Sequence, residues 1–523
     1  MNIEFPERFN MADYFLYHNV EKGRADKTCL YFEDETYTYG EAARRANEVG
    51  NALRELGIQM EDRVLLALPD CPEFVWAWFG ASRIGAVITM VNPLLPAADY
   101  KYYLEYTRAR VAVISEQLLE TFTEAARDAK HLRHVLVVGG EHGNFLSFKQ
   151  TTAQMPQELV PADTHRDDVA IWLFTSGSTG HPKGAVHLHH DLPFNTEVYA
   201  KRTLGICEAD ITVSVPKLFF GYATGTNLLF PFAVGGATAL FSERSTPEKI
   251  FEMIERLRPT ILTSVPTMIN GMLNAEGAGA KDLSSLRMCL SAGEALPAEL
   301  YRKWVEMFNV EIYDGIGSAE MFHIYITNRP GDVRPGSLGR IVEGYEARIV
   351  DAEGHDVEAC EMGTLRVKGD SAALYYWQAH EKSKETFAGD WCMTGDQFHK
   401  DAENYFWYQG RTDDMLKVSG VYVAPVEIEN CLLQHEAVRE CAVVGHDAGD
   451  ALVKPKAFIV LHDSFVACDE LAQKIKDFVK SHIALYKYPR WIEFVTSLPK
   501  NDRGKVDRKQ LKQEPEVRSQ ESE

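Results

Sequence analysis

The stretch "LFTSGSTGHPKG" (residues 173–184) joins an apolar strand to a loop built largely of Gly, Ser and Thr. Its upstream half continues "VAIWLF" (169–174), an unbroken apolar run of the kind found in strands covered on both faces. A loop that leaves such a strand sharply can aim backbone N–H groups and hydroxyls at phosphate oxygens. Gly177, Gly180 and Gly184 permit close approach. Thr175, Ser176, Ser178 and Thr179 offer hydroxyls, and Lys183 a point charge. The stretch is nevertheless no Walker loop, which needs Gly directly before its Lys and Ser or Thr directly after. Here Lys183 stands between Pro182 and Gly184, so the phosphate is held for a different chemistry.

Outward from the loop, continuous apolar strands alternate with helices. "RVLLALP", "AVITMV", "RVAVIS" and "HVLVV" read as strands, and "YGEAARRANEVGNALRELGI" and "PEFVWAWFGASRIG" as helices, the second with Pro72 near its start. After the loop the pattern repeats through "ITVSVP", "ATALFS", "PEKIFEMIERL", "TILTSVP", "RMCLSAG" and "VEIYDGIG". The expected fold class is therefore α/β, with two successive blocks, each a mostly parallel, covered sheet. From about residue 334 to 410 short strands with Gly turns predict a β-rich subdomain. Residues 413–523 alternate "APVEIENCLLQH", "ECAVVGH", "KPKAFIVLH", "DELAQKIKDFVKSHI" and "RWIEFVT", a small α+β unit long enough for its own core. The expected division is a large domain over 1–412 and a small one over 413–523.

The 523-residue length fits several such units. Lys and Arg number 55 against 76 Asp and Glu, a net charge of −21. Such a surface repels nucleic acid and anionic membranes. The nine Cys are scattered singly with no CxxC pair, which fits reduced thiols and argues against zinc. No apolar run reaches the ~18 residues of a spanning helix. "MNIEFPERFNMADYF" lacks a basic region followed by an apolar core, so the expected location is the cytoplasm. The expected state is a monomer or homodimer.

Taken whole, "TSGSTGHPKG" resembles the phosphate loop of the adenylate-forming superfamily, which comprises acyl-CoA synthetases, peptide-synthetase adenylation domains and luciferases. Further strings fall in the order of that family's motifs. The resemblance implies that the loop grips the β- and γ-phosphates of ATP. "YDGIGSAEM" (313–321) resembles the second motif; Tyr313 would stack on adenine, Asp314 would meet its amino group, and Glu320 would hold Mg²⁺. Ala319 replaces the family's usual Thr, leaving Ser318 as the nearby hydroxyl. "SAGEALP" (291–297) would place Gly293 and Glu294 beside the purine. Asp396 of "TGD" would accept from the ribose hydroxyls. In "GRTDDMLKVSGVYVAPVEIE" (410–429), Arg411 would contact the nucleotide, Asp413 would be a hinge, and Ser419 and Gly420 would line the thiol's approach. "PKNDRGKVDRKQL" resembles the C-terminal motif whose lysine maps to Lys505.

The implied chemistry explains these residue types. A carboxylate is a poor electrophile until joined to AMP. Bringing it to the α-phosphate sets like charges about 4 Å apart, a repulsion of roughly 4 kcal/mol at an effective dielectric near 20. Lys505, Lys183 and the Mg²⁺ on Glu320 are the expected offsets, acting where charge builds in the transition state. A thiol, expected to be that of coenzyme A, then displaces AMP. Lys505 would obstruct that step, and rotation about Asp413 would remove it.

The acid is read from the pocket residues. "PKLFFGYATGTNLLFPF" (216–232) offers Phe220, Gly221 and Tyr222, and the opposite wall would come from Ala292, Ile316, Gly317, His323 and Ile324. No Asp occurs between Asp210 and Asp282 to hold an ammonium group, which argues against an amino acid. Aromatic walls suit a flat ring. "HPKGAVHLHHDL" and "KLFFGYATGTNLLFPF" resemble benzoate–CoA ligases and related aryl-CoA ligases, implying benzoate, ATP and CoA as substrates. A hydroxybenzoate, a cinnamate-type or medium-chain acid, and transfer to a carrier protein are the alternatives. His323 reads equally as a ring or carboxylate contact and as a structural histidine. His187, His189 and His190 read as structural rather than metal-binding.

Overall fold

The computed structural model describes residues 3–175, 181–418, 421–447, 453–500 and 506–513. Within them two large sheets lie side by side. The first has the order Tyr375–Tyr376, Lys183–Leu188, Val169–Thr175, Val87–Met90, Arg63–Ala67, Val111–Ser115, His134–Val138, Leu146–Ser147. Its pairings are parallel except at the Tyr375 end, where Lys183–Leu188 folds back on Val169–Thr175 and Tyr375–Tyr376 adds to it. The interior strands are buried along their length, as their uninterrupted Val/Ile/Leu content requires.

The second sheet has the order Arg340–Ile341, Ile324–Thr327, Ile312–Gly317, Met288–Ala292, Ile261–Ser264, Ile211–Ser214, Ala237–Leu240, Thr28–Phe32, Glu35–Thr38. It is parallel in its centre and antiparallel at both ends. Two successive blocks are thus present, but the chain does not fill them in strict order. Thr28–Phe32 crosses to the second sheet and pairs with Ala237–Leu240. Strands Arg340–Ile341 and Tyr375–Tyr376, from the expected β-rich stretch, cap one edge of each large sheet. Local apolar patterning specifies a strand, not its sheet.

Helix Pro72–Arg83 packs on strands Arg63–Ala67 and Val87–Met90 of the first sheet, and helix Tyr39–Glu55 packs on that helix and on the Thr28–Phe32/Glu35–Thr38 edge of the second. Helix Tyr39–Glu55 starts on a capping box between Thr38 and Glu41, and helix Pro72–Arg83 carries Pro72 at its first position. They meet backbone to backbone: a Cβ on Gly80 would sit 2.6 Å from the Ala46 carbonyl. The β-rich segment forms an antiparallel sheet from Glu346–Val350, Gly363–Lys368, Trp391–Lys400, Phe387–Ala388 and Phe406–Arg411. After the short turn Thr412–Asp414 come the hairpin Leu416–Val418/Val421–Val423 and helix Pro425–Leu432. The sheet Val438–Asp447, Val453–Leu461, Trp491–Phe494 and helix Asp469–His482 complete this unit around its own core, including Ile428, Leu432, Val443, Ile459 and Val479. Among the described residues no helix is long and apolar enough to cross a membrane.

Candidate active site

A cleft of about 1970 Å³ opens where the two large sheets, the β-rich sheet and the C-terminal unit converge. It lies at the carboxyl ends of the parallel strands, where loops of open α/β sheets place their ligands. Its volume exceeds the usual range for one small ligand, ~300–1,000 Å³. Thr175, Lys183, Gly293, Glu294, Glu320, Asp396 and Arg411 all line it, with every residue expected around the acid. Residues 176–180, Ser419, Gly420 and Lys505 lie outside the described residues. Asp413 falls in the turn that leads into the C-terminal unit.

At one end, Lys183 begins the returning strand of a hairpin, opposite Thr175. Helix Ala97–Thr107 braces residues 181–184, where the described chain resumes. Tyr102 stacks on His181, ring centroids 4.6 Å apart, and donates to the Pro182 carbonyl at 2.7 Å. Tyr106, one turn on, accepts from the Gly184 N–H at 3.1 Å. The Lys183 ammonium sits 5.7 Å from the centre of the Tyr376 ring. Burial and the nearby Lys382 hold it below the usual lysine range, against the pull of Glu320 and Glu385. The Tyr376 hydroxyl donates to Glu320 Oε1 at 2.5 Å. Tyr376, Tyr102 and Tyr106 are site residues that sequence reasoning missed. The only trace of the last two is a Tyr pair spaced one helical turn apart.

The Glu320 segment is fixed from behind. His187, fully buried, donates from Nε2 to the Ala319 carbonyl at 2.7 Å, and Asp191 holds Nδ1 at 2.8 Å. The Ala373 N–H donates to the Glu320 carbonyl at 2.7 Å. Of the other two histidines, His189 accepts from the Met11 N–H, and His190 lies against the Arg166 carbonyl. His187 and His190 share Asp191, His190 Nε2 lying 3.3 Å from its Oδ1, while His189 is turned to the Met11 backbone. Phe322 then has φ +65° and ψ −57°, and the His323 N–H reaches back to the Met321 carbonyl at 2.8 Å. That is a tight γ-turn of the rare, strained hand. It reverses the chain within three residues, so that Glu320 and His323 both line the cleft.

On the cleft wall formed by the β-rich sheet, Asp396 and Arg411 are cross-strand partners. Arg411 donates to Asp396 Oδ1 at 3.2 Å and to the Thr394 carbonyl at 3.0 Å. Burial pushes the Asp396 carboxyl up, and Arg411 opposes this. Glu294 accepts from Thr267 Oγ1 at 2.7 Å. Tyr313 and Asp314, expected at the adenine, are not among the residues that line the cleft, whereas residues 315–320 are. Tyr313 is the second residue of strand Ile312–Gly317, too far from its carboxyl end, and its hydroxyl is turned to Glu311 at 2.8 Å. Asp314 is buried beneath the strand's end, which raises its carboxyl to about 8. Ser318, beside the missing threonine, has a buried hydroxyl with no hydrogen-bond partner among the described residues.

At the other end the walls are aromatic. The Phe219 and Phe220 rings lie 4.3 Å apart, and Tyr222 is 5.2 Å from His323. His323 also meets Phe230 at 4.8 Å and Tyr199 at 5.5 Å. Its Nε2 donates to the Tyr222 carbonyl at 3.0 Å, which fixes the proton there. Burial pushes the imidazole down to about 3, so the ring is neutral. Its Nδ1 and the Tyr222 hydroxyl are buried without partners among the described residues. Gly317 passes so close that a Cβ would sit 2.5 Å from the His323 carbonyl oxygen.

The arrangement provides cations and a carboxylate at one end, a flat apolar slot at the other, and a short strained turn between them. Residues 16–377 match the family described as AMP-binding enzyme, and residues 427–505 its C-terminal domain. The chain is 44% identical to a benzoate–CoA ligase of Thauera aromatica, over 98% of this chain and 97% of that one. A crystal structure of an anthranilate CoA ligase in complex with anthranoyl-AMP superposes with a TM-score of 0.93 at 42% identity, covering 97% of both chains. A benzoate CoA ligase from Burkholderia xenovorans LB400 superposes with a TM-score of 0.90 at 41% identity, covering 96% of this chain and 100% of that one.

Proposed function

The chain belongs to the AMP-binding enzyme family, and on that premise we propose that it is an ATP-dependent benzoate–CoA ligase. In the first step a benzoate oxygen attacks the α-phosphorus of ATP, the α–β bridge breaks, and benzoyl-AMP and pyrophosphate form. In the second, the CoA thiolate attacks the acyl carbonyl and AMP leaves with the former carboxylate oxygen.

One observation carries the reading. Glu320 and His323, separated by the γ-turn at Phe322, line a single cleft, the first among the phosphate-side residues and the second among the aromatic walls. An acid seated against Tyr222 and His323 therefore has its carboxylate beside residues 316–320, where the α-phosphate must arrive. Lys183 offsets the charge of the departing pyrophosphate. Asp396 and Arg411 suit the ribose and the nucleotide's polar edge. The neutral His323 serves as a wall rather than a proton carrier.

The residues also fit Mg²⁺ brought in with ATP. Glu320 has one oxygen held by Tyr376, and its Oε2 takes no hydrogen bond from the described residues. Among the described residues there is no cluster of three or more His, Cys, Asp or Glu that could cage an ion. Mg²⁺ held by one carboxylate together with substrate phosphates needs no such cage. When bound, it would neutralise charge on the phosphates.

We further infer that residues 413–523 turn about Asp413 between the two steps, carrying Lys505 into the cleft for adenylation and out for thiol entry, and that the enzyme acts in the cytoplasm. A second reading has a specific observation behind it. The unpartnered Tyr222 hydroxyl and His323 Nδ1 suit a ring bearing a hydroxyl or amino group. The test is ATP–pyrophosphate exchange across benzoate, hydroxybenzoates, 2-aminobenzoate, cinnamates and short fatty acids. Benzoate is expected among the best. A substituted ring ahead of it by tenfold or more would favour the second reading, and no exchange with any acid would refute the ligase.

A further inference from the structure

Tyr376 sits between two groups of the adenylation machinery and belongs to neither of the motifs that supply them. Its strand, Tyr375–Tyr376, is laid antiparallel on Lys183–Leu188, with Tyr376 opposite Ala185. That register puts its ring 5.7 Å from the Lys183 ammonium. Its hydroxyl donates to Glu320 Oε1 at 2.5 Å. The backbone around it binds the same two elements. Ala373 donates to the Glu320 carbonyl at 2.7 Å, Leu374 to Val186 at 2.8 Å, and Trp377 to Gly184 at 2.9 Å. Five consecutive residues thus lock the phosphate hairpin to the Glu320 turn.

We propose that Tyr376 is a positioning residue for adenylation: its phenol pins one oxygen of Glu320, so that only the other is presented to the divalent cation that ATP carries. This rests on the ligase reading above. An unpinned carboxylate can rotate or chelate with both oxygens. Mg²⁺ demands near-ideal octahedral geometry and accepts a single, fixed carboxylate oxygen more readily. Partners that orient a metal ligand typically contribute 10–100-fold to metal affinity or activity. Packing alone does not require the hydroxyl, since a phenylalanine ring would fill the same place against Phe387, 5.3 Å away, and beside Lys183.

The test is Tyr376→Phe, with Glu320→Gln and the double variant. In benzoate-dependent ATP–pyrophosphate exchange, Tyr376→Phe should raise the Mg²⁺ concentration for half-maximal rate by ~10-fold. The KM for benzoate should stay within about twofold, as should thioester formation from preformed benzoyl-AMP and CoA. A readout without turnover is Mn²⁺ titration of the enzyme–ATP complex by electron paramagnetic resonance, where Tyr376→Phe should bind Mn²⁺ more weakly by a similar factor. In the Glu320→Gln background the second substitution should cost nothing more. An unshifted Mg²⁺ curve and Mn²⁺ affinity in folded Tyr376→Phe would overturn the proposal. So would equal loss in both half-reactions, or full additivity in the double variant. Absence of exchange in the unsubstituted protein would refute the ligase reading, and the Mn²⁺ titration would still decide the role of Tyr376.

Discussion

The two ends of the cleft are built by opposite rules. At the phosphate end the backbone and one carboxylate oxygen are held in place: Glu320 Oε1 by Tyr376, the Glu320 carbonyl by Ala373, the Ala319 carbonyl by His187, and the hairpin by Tyr102 and Tyr106, while the Ser318 hydroxyl and Glu320 Oε2 are left open among the described residues. At the acyl end the rings pack tightly, and polar atoms of Tyr222 and His323 are left without partners among the described residues. The difference follows from the work each end does. Charge that develops in a transition state is stabilised by groups fixed beforehand. A neutral ring is chosen by shape and area, which demand close packing and few polar contacts.

Substitutions should therefore cost rate at one end and recognition at the other. The largest effect is expected for Lys505→Ala, which should slow adenylation by about 10²–10³-fold, as loss of a transition-state charge partner does. Supplied with preformed benzoyl-AMP and CoA, the variant should form thioester within a few-fold of the parent. Equal losses would erase the proposed division of labour. Gly317→Ala comes next, because its Cβ would strike the His323 backbone carbonyl. Overpacking of ~1–3 kcal/mol should appear as a rise of about 5- to 100-fold in the KM for benzoate, with the KM for ATP little changed.

A smaller effect concerns pH. In the fold His323 stays neutral down to about 3, whereas an unfolded histidine takes up a proton near 6.5. The unfolded chain thus binds more protons between those values, and stability falls as pH drops below about 6.5. His323→Asn should remove that share, so that the unfolding free energy from urea titrations declines less between pH 6.5 and 4.5, by roughly 2 kcal/mol. A parallel decline would mean that the ring is charged or solvated. The smallest effect is expected for Tyr222→Phe. Removing an unpartnered buried hydroxyl should leave stability unchanged or raised by up to about 1 kcal/mol, with benzoate recognition intact. A loss of several kcal/mol would show that the hydroxyl has a partner.

The same contrast explains what could be read from the sequence. The strands were legible because parallel, covered strands must be continuously apolar, and the phosphate loop because its backbone chemistry confines Gly, Ser, Thr and Lys to set places. Lys183, Glu320, Asp396 and Arg411 stand in contiguous motifs, and the fold brings them to one cleft. Tyr376 was illegible, since it lies 56 residues beyond Glu320 in an ordinary aromatic run and meets it only through sheet pairing. The crossing of Thr28–Phe32 to the second sheet was hidden for the same reason. Tyr313 stands short of the cleft's lining, because a motif fixes sequence order but not how far along a strand the cleft begins. The partners of His323 depend on packing of Tyr199 and Phe230, from segments that no local pattern ties together.

The central claim is that the benzoate carboxylate attacks the α-phosphorus of ATP. Benzoate labelled with ¹⁸O in both carboxylate oxygens, turned over with ATP and CoA, tests it most directly by mass spectrometry of the products. Attack at the α-phosphorus predicts one ¹⁸O in AMP, one retained in the benzoyl thioester, and none in pyrophosphate. Label in pyrophosphate or inorganic phosphate, or unlabelled AMP, would contradict it.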